Sequence, residues 1–309
     1  MDTAEIKTMS CRVAETAFSL ALPESDPLWP ELEKAYGPFE TDRASDPEGC
    51  GPEQPLMQVR LRPSLPFCKD RPVYLEQERK HGFPALNVYD AGSGALWVEI
   101  LPPDGSEAEA LMLLREDCPE VDVCVRGDAW KRLHGLTCAV MMAFAMKTAR
   151  SGMLLLHATA VLHAGRAFVF LGPSRTGKST HARLWLRHVP DTLLLNDDHP
   201  VLRIGPDGKA IIYGSPWSGY HPCYKNLWAP AGGFIRLKQA QKNSIRPLSG
   251  LEAYASLYPS SSGMSWIRAF SDAKSRTVEQ AVRSCGNWEL SCLPDAEAAL
   301  LCRDQACGG

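Results

Sequence analysis

Short apolar or alternating runs, each closed by turn-forming residues, follow one another through the first half of the chain. Four have the character of strands: Gln58-Val-Arg-Leu, Pro72-Val-Tyr-Leu, Leu96-Trp-Val-Glu-Ile and Val121-Asp-Val-Cys-Val. Turn sequences such as Asp90-Ala-Gly-Ser-Gly separate them. The pattern predicts an antiparallel sheet region between about residues 58 and 126.

A long amphipathic helix is predicted after this region, ending near Arg150. Apolar residues recur there at three- and four-residue spacing, which predicts one buried face. They are Trp130, Leu133, Leu136, Val140 and Phe144. Asp128 stands before the run and can cap the helix. His134 lies beside the stripe and is interpreted as a structural or surface histidine.

The second half of the chain reads as strands alternating with helices. Two apolar runs, Met153–Leu162 and Ala167–Leu171, are joined by His163-Ala-Gly-Arg and predict a hairpin. Further strands are expected at Thr192, on both sides of Pro206-Asp-Gly, at Gly233 and near Trp288, with helices over 249–257, 272–284 and 295–302. We therefore predict an α+β region over residues 1–150 and an α/β domain over residues 151–309.

Composition narrows the functional classes. The 309 residues are 45% apolar with a net charge of −3, which is typical of a globular protein and gives no signal for nucleic acid. No apolar run approaches the ~18 residues of a membrane span, and the N-terminus lacks a signal-peptide core, so we expect a cytoplasmic protein without membrane contact. Eleven cysteines without a C-x-x-C pair indicate reduced thiols. A nucleophilic role for Cys223 stays open.

The segment VFLGPSRTGKST carries the strongest chemical signal. From Gly172 it has the pattern G-x-x-x-x-G-K-S, between an apolar strand and a basic helix start, which is the context this phosphate-binding motif requires. Its glycines allow the backbone to approach a ligand, its amides form an anion-binding nest, Lys178 reaches the outer phosphates and Ser179 binds Mg²⁺. The expected contact residues are Gly172, Pro173, Ser174, Arg175, Thr176, Gly177, Lys178, Ser179 and Thr180.

A pair of aspartates closes the next predicted strand. Asp197 and Asp198 end Leu193-Leu-Leu-Asn-Asp-Asp, where open α/β sheets place ligand-binding residues. Adjacent residues on a strand point to opposite sides, so one can face the metal and the other a reacting hydroxyl. We place Asp198 with Ser179 at the metal, and the reverse assignment stays open. His157, in the preceding hairpin, is a candidate partner of this pair or of the terminal phosphate.

Together, the His157 strand, the hairpin, GPSRTGKST and LLLNDD resemble the HPr kinase/phosphorylase family, which shares its fold with ATP-dependent phosphoenolpyruvate carboxykinases. The resemblance covers about residues 150–240 and extends to Gly214-Ser-Pro-Trp-Ser-Gly, which is similar to small family members of unassigned substrate. It implies a mixed, twisted sheet, catalytic roles for Asp197, Asp198, His157 and Lys178, and self-association. The Pro-Gly-Arg-Asn stretch of the reverse reaction is missing from the sequence.

The resulting hypothesis is an ATP- and Mg²⁺-dependent kinase acting on a hydroxyl, either a serine of a peptide or protein or a small polar metabolite. The absence of an N-K-x-D segment argues against a small GTPase. The alternative is a nucleotide-switched, peptide-binding ATPase that forms no phosphorylated product. Gly214-Ser-Pro-Trp-Ser-Gly favours the kinase, because a polar, aromatic loop can form an acceptor pocket.

Overall fold

The computed structural model describes residues 5–41, 55–76, 84–102, 107–219, 222–264 and 266–308. The chain has a mixed α/β structure and divides into two units, Met1–Lys147 and Thr148–Gly309. Each unit contains an open sheet with both parallel and antiparallel strand pairs.

Within the part of the first unit that the structure describes, the sheet has eight strands. They are β1 Ile6–Val13, β2 Thr16–Pro23, β3 Met57–Leu61, β4 Pro72–Leu75, β5 Ala85–Gly92, β6 Ala95–Leu101, β7 Ala110–Arg115 and β8 Glu120–Val125, in the order β1-β2-β3-β8-β7-β6-β5-β4. The predicted antiparallel region is confirmed from β4 to β8 and is wrong for β3, which pairs in parallel with both β2 and β8. Helix α1, Trp29–Tyr36, lies in the long connection that a parallel β2–β3 pair requires.

The predicted long helix is α2, Ala129–Thr148, and Asp128 caps it by accepting a hydrogen bond from the Lys131 N–H. Leu136, Val140 and Phe144 are fully buried, as expected from their spacing. Trp130 is instead 62% exposed, so the prediction of its burial is wrong. Its indole stacks on the imidazole of His134 in the first turns of the helix.

Among its described residues, the second unit contains the remaining strands and four α-helices. The strands are β9 Met153–Leu155, β10 Ala158–His163, β11 Arg166–Leu171, β12 Leu193–Asp198, β13 Val201–Ile204, β14 Ala210–Tyr213, β15 Trp228–Gln239, β16 Ser244–Pro247 and β17 Gly286–Cys292. The helices are α3 Lys178–His188, α4 Leu251–Leu257, α5 Arg268–Ser284 and α6 Ala296–Cys307. These elements confirm the predicted alternation, with α5 and α6 longer than expected.

The order of strands in this sheet is β12-β10-β11-β15-β14-β13-β9, with β17 also pairing with β15 and β16. β11 runs parallel to β15, and β15 runs parallel to β17. β10 is antiparallel to both β11 and β12, so β12 has the same direction as β11. The carboxyl ends of β12, β11, β15 and β17 therefore open at one edge of the sheet.

The predicted first strand of the hairpin, Met153–Leu162, is two strands. β9 pairs with β13, and β10 pairs with β11. The break comes at His157. The N–H of Leu156 still donates to Pro200 and so continues the β9–β13 pairing, whereas the N–H of His157 donates to Ser260, outside both strand pairs. His157 consequently sits at a corner between two strands.

Both faces of the second sheet are covered by helices. Phe168 and Phe170 of β11 pack on one face with Trp185 of α3. Val169 and Leu171, the alternate residues of the same strand, pack on the other face in a cluster with Val278 of α5. Burial on both sides fixes β11, the strand that leads directly into the 172–179 segment.

Within the described residues, no helix combines the length and the apolar character needed to cross a membrane.

Candidate functional site

The segment from Gly172 to Ser179, called here the 172–179 loop, follows β11 and includes the first two residues of α3. Gly172 and Gly177 have φ angles of 149° and 107°, so glycine meets a real conformational need at both positions. Arg175 also has a positive φ, 67°, which is uncommon for a residue with a side chain. Thr176 closes the turn by donating hydrogen bonds from its N–H and its hydroxyl to the Pro173 carbonyl. Residues other than glycine that are held in such conformations cluster at active sites and ligand-binding loops, so the backbone of Arg175 makes this loop a candidate site.

Lys178, the first residue of α3, is buried with only 8% of its surface exposed. Its ammonium group lies 2.9 Å from Nε2 of His157 and donates to the carbonyl oxygens of Gly172 and Pro173. Burial lowers the pKa of Lys178, and the negative charges of Asp198 and Asp197 offset part of this effect. The loop thus holds its lysine folded back against its own backbone, beside His157.

Ser179 and Asp197 meet at the amino end of α3. The Ser179 hydroxyl donates to Oδ1 of Asp197 over 2.7 Å, and the Thr159 hydroxyl donates to the same oxygen over 2.8 Å. Thr159 lies opposite Asp197 in the β10–β12 register, which explains the second contact. The carboxylate beside Ser179 is therefore that of Asp197, whereas the sequence-based assignment placed Asp198 there. The reason is that β12 turns its penultimate residue, and not its last, toward α3.

Asp198 faces two histidines. Its Oδ1 lies 3.4 Å from Nδ1 of His157, and its Oδ2 lies 3.3 Å from Nδ1 of His199. Burial acts to raise the pKa of Asp198, but the charge of His199, the hydrogen bond from His157 and the charge of Lys178 outweigh burial and lower it. The φ angle of Asp198 is 153°, a strained value for a residue other than glycine.

The predicted acceptor loop lies against the end of β12. The side-chain amide of Asn196 donates to the backbone oxygens of Ser215 and Trp217, and the N–H of Gly219 donates to the Asp197 carbonyl over 2.7 Å. The indole of Trp217 is buried. This segment is thereby fixed beside the two aspartates. Tyr220 and His221, which belong to the same predicted loop, lie outside the described residues.

The remaining loop residues surround this centre. The Ser174 hydroxyl lies 3.5 Å from Nε2 of His157, so it joins the Lys178–His157 contact. The Arg175 carbonyl accepts a hydrogen bond from the side-chain amide of Gln239. Thr180 follows Ser179 in the first turn of α3 and accepts a bond from Arg183. All the sequence-predicted site residues therefore belong to, or directly adjoin, the edge where β11 and β12 end.

Cys223 is not poised as a nucleophile in this arrangement. Its sulfur lies 3.6 Å from the carbonyl oxygens of Leu194 and Leu195, which suits a protonated thiol that donates. Burial raises the pKa of the Cys223 thiol, with the charge of Asp197 adding to the effect and that of Lys225 opposing it. A thiolate is the reactive form of cysteine, so this environment disfavours the reactive form.

Two residues of the site were not predicted from sequence. Thr159 lies in β10, two residues after His157, and its only sequence signal is a hydroxyl in an apolar run. His199 follows the aspartate pair directly, so its proximity could have been inferred. With His157 and Asp198, His199 forms a group whose ligand atoms lie within 4.8 Å of one another and could hold a metal ion.

Comparison of the chain with protein-family models gave no match, and comparison with curated proteins gave no significant match.

Proposed function

We propose that this protein is a kinase that transfers the γ-phosphoryl group of ATP, with Mg²⁺, to the hydroxyl group of an acceptor. The observation that carries the proposal is the meeting of the two segments singled out in the sequence. Ser179 donates to Asp197 over 2.7 Å, while the adjacent Lys178 contacts His157, whose other nitrogen faces Asp198. Phosphoryl transfer depends mainly on positioning and on charge stabilisation, which such a cluster can provide.

The HPr kinase type of fold is the finer assignment that we propose for Thr148–Gly309. Its support is the order of the elements: the β10–β11 hairpin, the 172–179 loop, α3, and then β12 with its paired aspartates. The mixed sheet and the position of His157 at the start of the hairpin add to this support.

Ser179 and Asp197 are the residues that we expect to hold Mg²⁺. A hydroxyl and a carboxylate oxygen are ligands that Mg²⁺ accepts, together with substrate phosphates. The His157, Asp198 and His199 group offers two nitrogens and fits this ion less well. Mg²⁺ bound at the first pair would supply positive charge to the phosphate oxygens.

The other residues have roles that follow from their positions. Lys178 would leave its backbone contacts and place its charge on the outer phosphates, while the loop amides bind the remaining oxygens. Asp198 would accept the proton of the acceptor hydroxyl. Its lowered pKa keeps it ionised at neutral pH, as a base requires. His157 would hold Asp198 in place through Nδ1 and contact Lys178 through Nε2.

The acceptor class that we propose is a serine of a peptide or protein, or a small polar metabolite. The segment that includes Trp217 and Gly219 borders Asp198 and leaves it 31% exposed, so a hydroxyl can reach it. An ATPase would also use such a carboxylate, to orient the attacking water, so the base alone does not separate the two functions. The adjoining 214–219 segment favours transfer, because a polar, aromatic loop beside the base can form an acceptor pocket. Free thiols at all the described cysteines support the cytoplasm as the compartment.

Transfer of label from γ-labelled ATP to candidate acceptors, with mass spectrometry of the products, tests the proposal. Lys178→Ala and Asp198→Asn should each lower transfer by about 10²-fold or more. Lys209→Ala, in an exposed turn between β13 and β14, is the matched control and should retain activity. Transfer that survives both site substitutions, or ADP release without any phosphorylated product, would contradict a kinase.

A further inference from the structure

A cavity of about 400 Å³ adjoins the 172–179 loop on the side away from the aspartates. Thr176, Gly177 and Thr180 form its wall on the loop side. The ends of β15 and β17 form the opposite wall, with Gln239 from the first and Cys292 from the second. The function proposed above places phosphates on the loop but assigns nothing to this space.

The topology sets the direction from the loop to the cavity. β12, with Asp197 and Asp198, lies beyond β10 on one side of β11, while β15 and β17 lie on the other side. The strands β12, β11, β15 and β17 end at the same edge. Along that edge the aspartates come first, the 172–179 loop is in the middle, and the cavity is last. A triphosphate whose outer end meets Lys178 and Asp198 would have its inner end at Thr180, which opens on the cavity.

The lining suits a flat, weakly polar ring system. Leu184, Leu237 and Leu293 contribute aliphatic surface, and Cys292 contributes a polarizable sulfur. Burial raises the pKa of the Cys292 thiol, and the charge of Asp295 adds to this, so an uncharged thiol faces the cavity. Ligand sites for heterocycles are usually apolar clefts with a few fixed polar groups.

One polar group at the rim has a fixed orientation. The Nε2 of Gln239 donates to the Arg175 carbonyl over 3.2 Å, and only the nitrogen end of the amide can do so. The amide oxygen is left as the acceptor for a ligand. A purine with a 6-amino group can donate to this oxygen, whereas a purine with a 6-oxo group would bring two acceptors together.

We propose that this cavity binds the nucleoside of an adenine nucleotide and that Gln239 selects its 6-amino group. The inference rests on the proposed function, because it assumes a triphosphate on the 172–179 loop. It also separates two contributions to binding. The loop and Lys178 bind the phosphates, and the ends of β15 and β17 bind the base.

Alkylation of Cys292 by a maleimide, followed by peptide mass spectrometry, tests the location. In the presence of Mg²⁺, ATP should slow alkylation of Cys292, and inorganic tripolyphosphate, which lacks a base, should not. Cys68, an exposed thiol of the first unit, is the internal control. The maleimide should alkylate it at the same rate in the presence of ATP and of tripolyphosphate. Equal protection of Cys292 by both ligands, or protection by neither while both bind, would overturn the inference.

Equilibrium binding tests the base pocket itself. Leu293→Trp fills the cavity from a position that is already 39% exposed. It should weaken the binding of ATP by about tenfold and leave the binding of tripolyphosphate unchanged. Leu251→Trp, at an exposed leucine outside the cavity, should change neither the affinity for ATP nor that for tripolyphosphate. Gln239→Leu should reduce the preference for ATP over GTP by about tenfold.

The two proposals fail in different ways. If wild-type protein binds both ligands with equal affinity and Leu293→Trp leaves them equal, the nucleoside site is wrong while the phosphate site stands. If wild-type protein binds neither ligand, the proposed function fails and the nucleoside site with it. If Lys178→Ala weakens the binding of both ligands and Leu293→Trp weakens only the binding of ATP, the phosphate site and the nucleoside site are both supported.

Discussion

The side-chain nitrogen of Lys178 lies 2.9 Å from Nε2 of His157. A protonated lysine can only donate, so Nε2 accepts and the proton of a neutral His157 ring is on Nδ1, which faces Asp198. One imidazole thus connects the residue that would bind the outer phosphates with the residue that would act as base. Substitutions of His157 should therefore affect both phosphate binding by Lys178 and proton acceptance by Asp198.

His157→Ala should lower kcat by about tenfold or more and should shift the acid limb of the kcat/KM profile to higher pH. The His157 hydrogen bond is one of the interactions that lower the pKa of Asp198. Without it, the pKa rises and the carboxylate is lost at a higher pH. A pH series of initial rates measures the shift. His163→Gln, at the far end of β10, should leave the profile unchanged, and an unshifted limb in His157→Ala would remove Asp198 from the role of base.

The two neighbouring aspartates should respond differently to Mg²⁺. Asp197 contacts Ser179 and Thr159, so Asp197→Asn should raise the Mg²⁺ concentration needed for half-maximal rate by about tenfold. Asp198→Asn should lower kcat with little change in that concentration. Titration of Mg²⁺ at saturating ATP distinguishes the two, with Asp207→Asn in an exposed turn as control. The opposite result would restore the assignment of Asp198 as metal ligand.

The sequence predicted those local structures that only one or a few residue types can form. The 172–179 loop was predictable because positive φ angles need glycine, and the Asp128 cap was predictable because an unpaired N–H needs an acceptor. The choice between Asp197 and Asp198 was not predictable, because strand alternation puts the two on opposite faces but does not tell which face lies toward α3. The break at His157 also escaped the pattern, since an apolar run of ten residues does not reveal that its halves pair with different strands.

Trp130 shows the same limit in the first unit. Helical spacing placed it on the buried face of α2, yet the structure leaves it exposed over His134. Periodicity gives the direction of a side chain around the helix axis but not the length of the element that covers it. The cavity at the ends of β15 and β17 was equally unpredictable, because Gln239 and Cys292 meet only through the parallel register of those strands.

Gly214→Ala should destabilise the second unit by about 2 kcal/mol and lower transfer activity. A Cβ at this position would lie 2.0 Å from the Lys225 carbonyl oxygen, which is backbone and cannot move without shifting its own segment. That shift would pass to Ser215 and hence to Asn196, which holds the end of β12. Urea denaturation gives the change in stability. Gly37→Ala, where no atom lies within 4 Å, is the control and should have a small effect.

Acid should weaken the second unit through His181, which is buried in α3 between the 172–179 loop and Trp185. Trp185 donates its indole N–H to Nε2 of His181 over 3.2 Å, so the neutral ring is the form that fits. Burial lowers the pKa of His181 from 6.5 to about 4. The unfolded chain therefore takes up a proton before the folded protein does. The resulting loss of stability begins as the pH falls through about 6.5 and is complete near 4.

This loss can be measured as the difference in urea-unfolding free energy between pH 7 and pH 5, to which His181 should contribute about 2 kcal/mol. His181→Gln keeps an acceptor for Trp185 but cannot titrate in this range, so the difference should shrink by that amount. His188→Gln, a less buried histidine at the end of the same helix, should leave the difference as it is in the wild type. If His181→Gln and wild type lose equal stability at pH 5, then His181 is protonated in the folded protein and the contact with Trp185 does not hold its ring neutral.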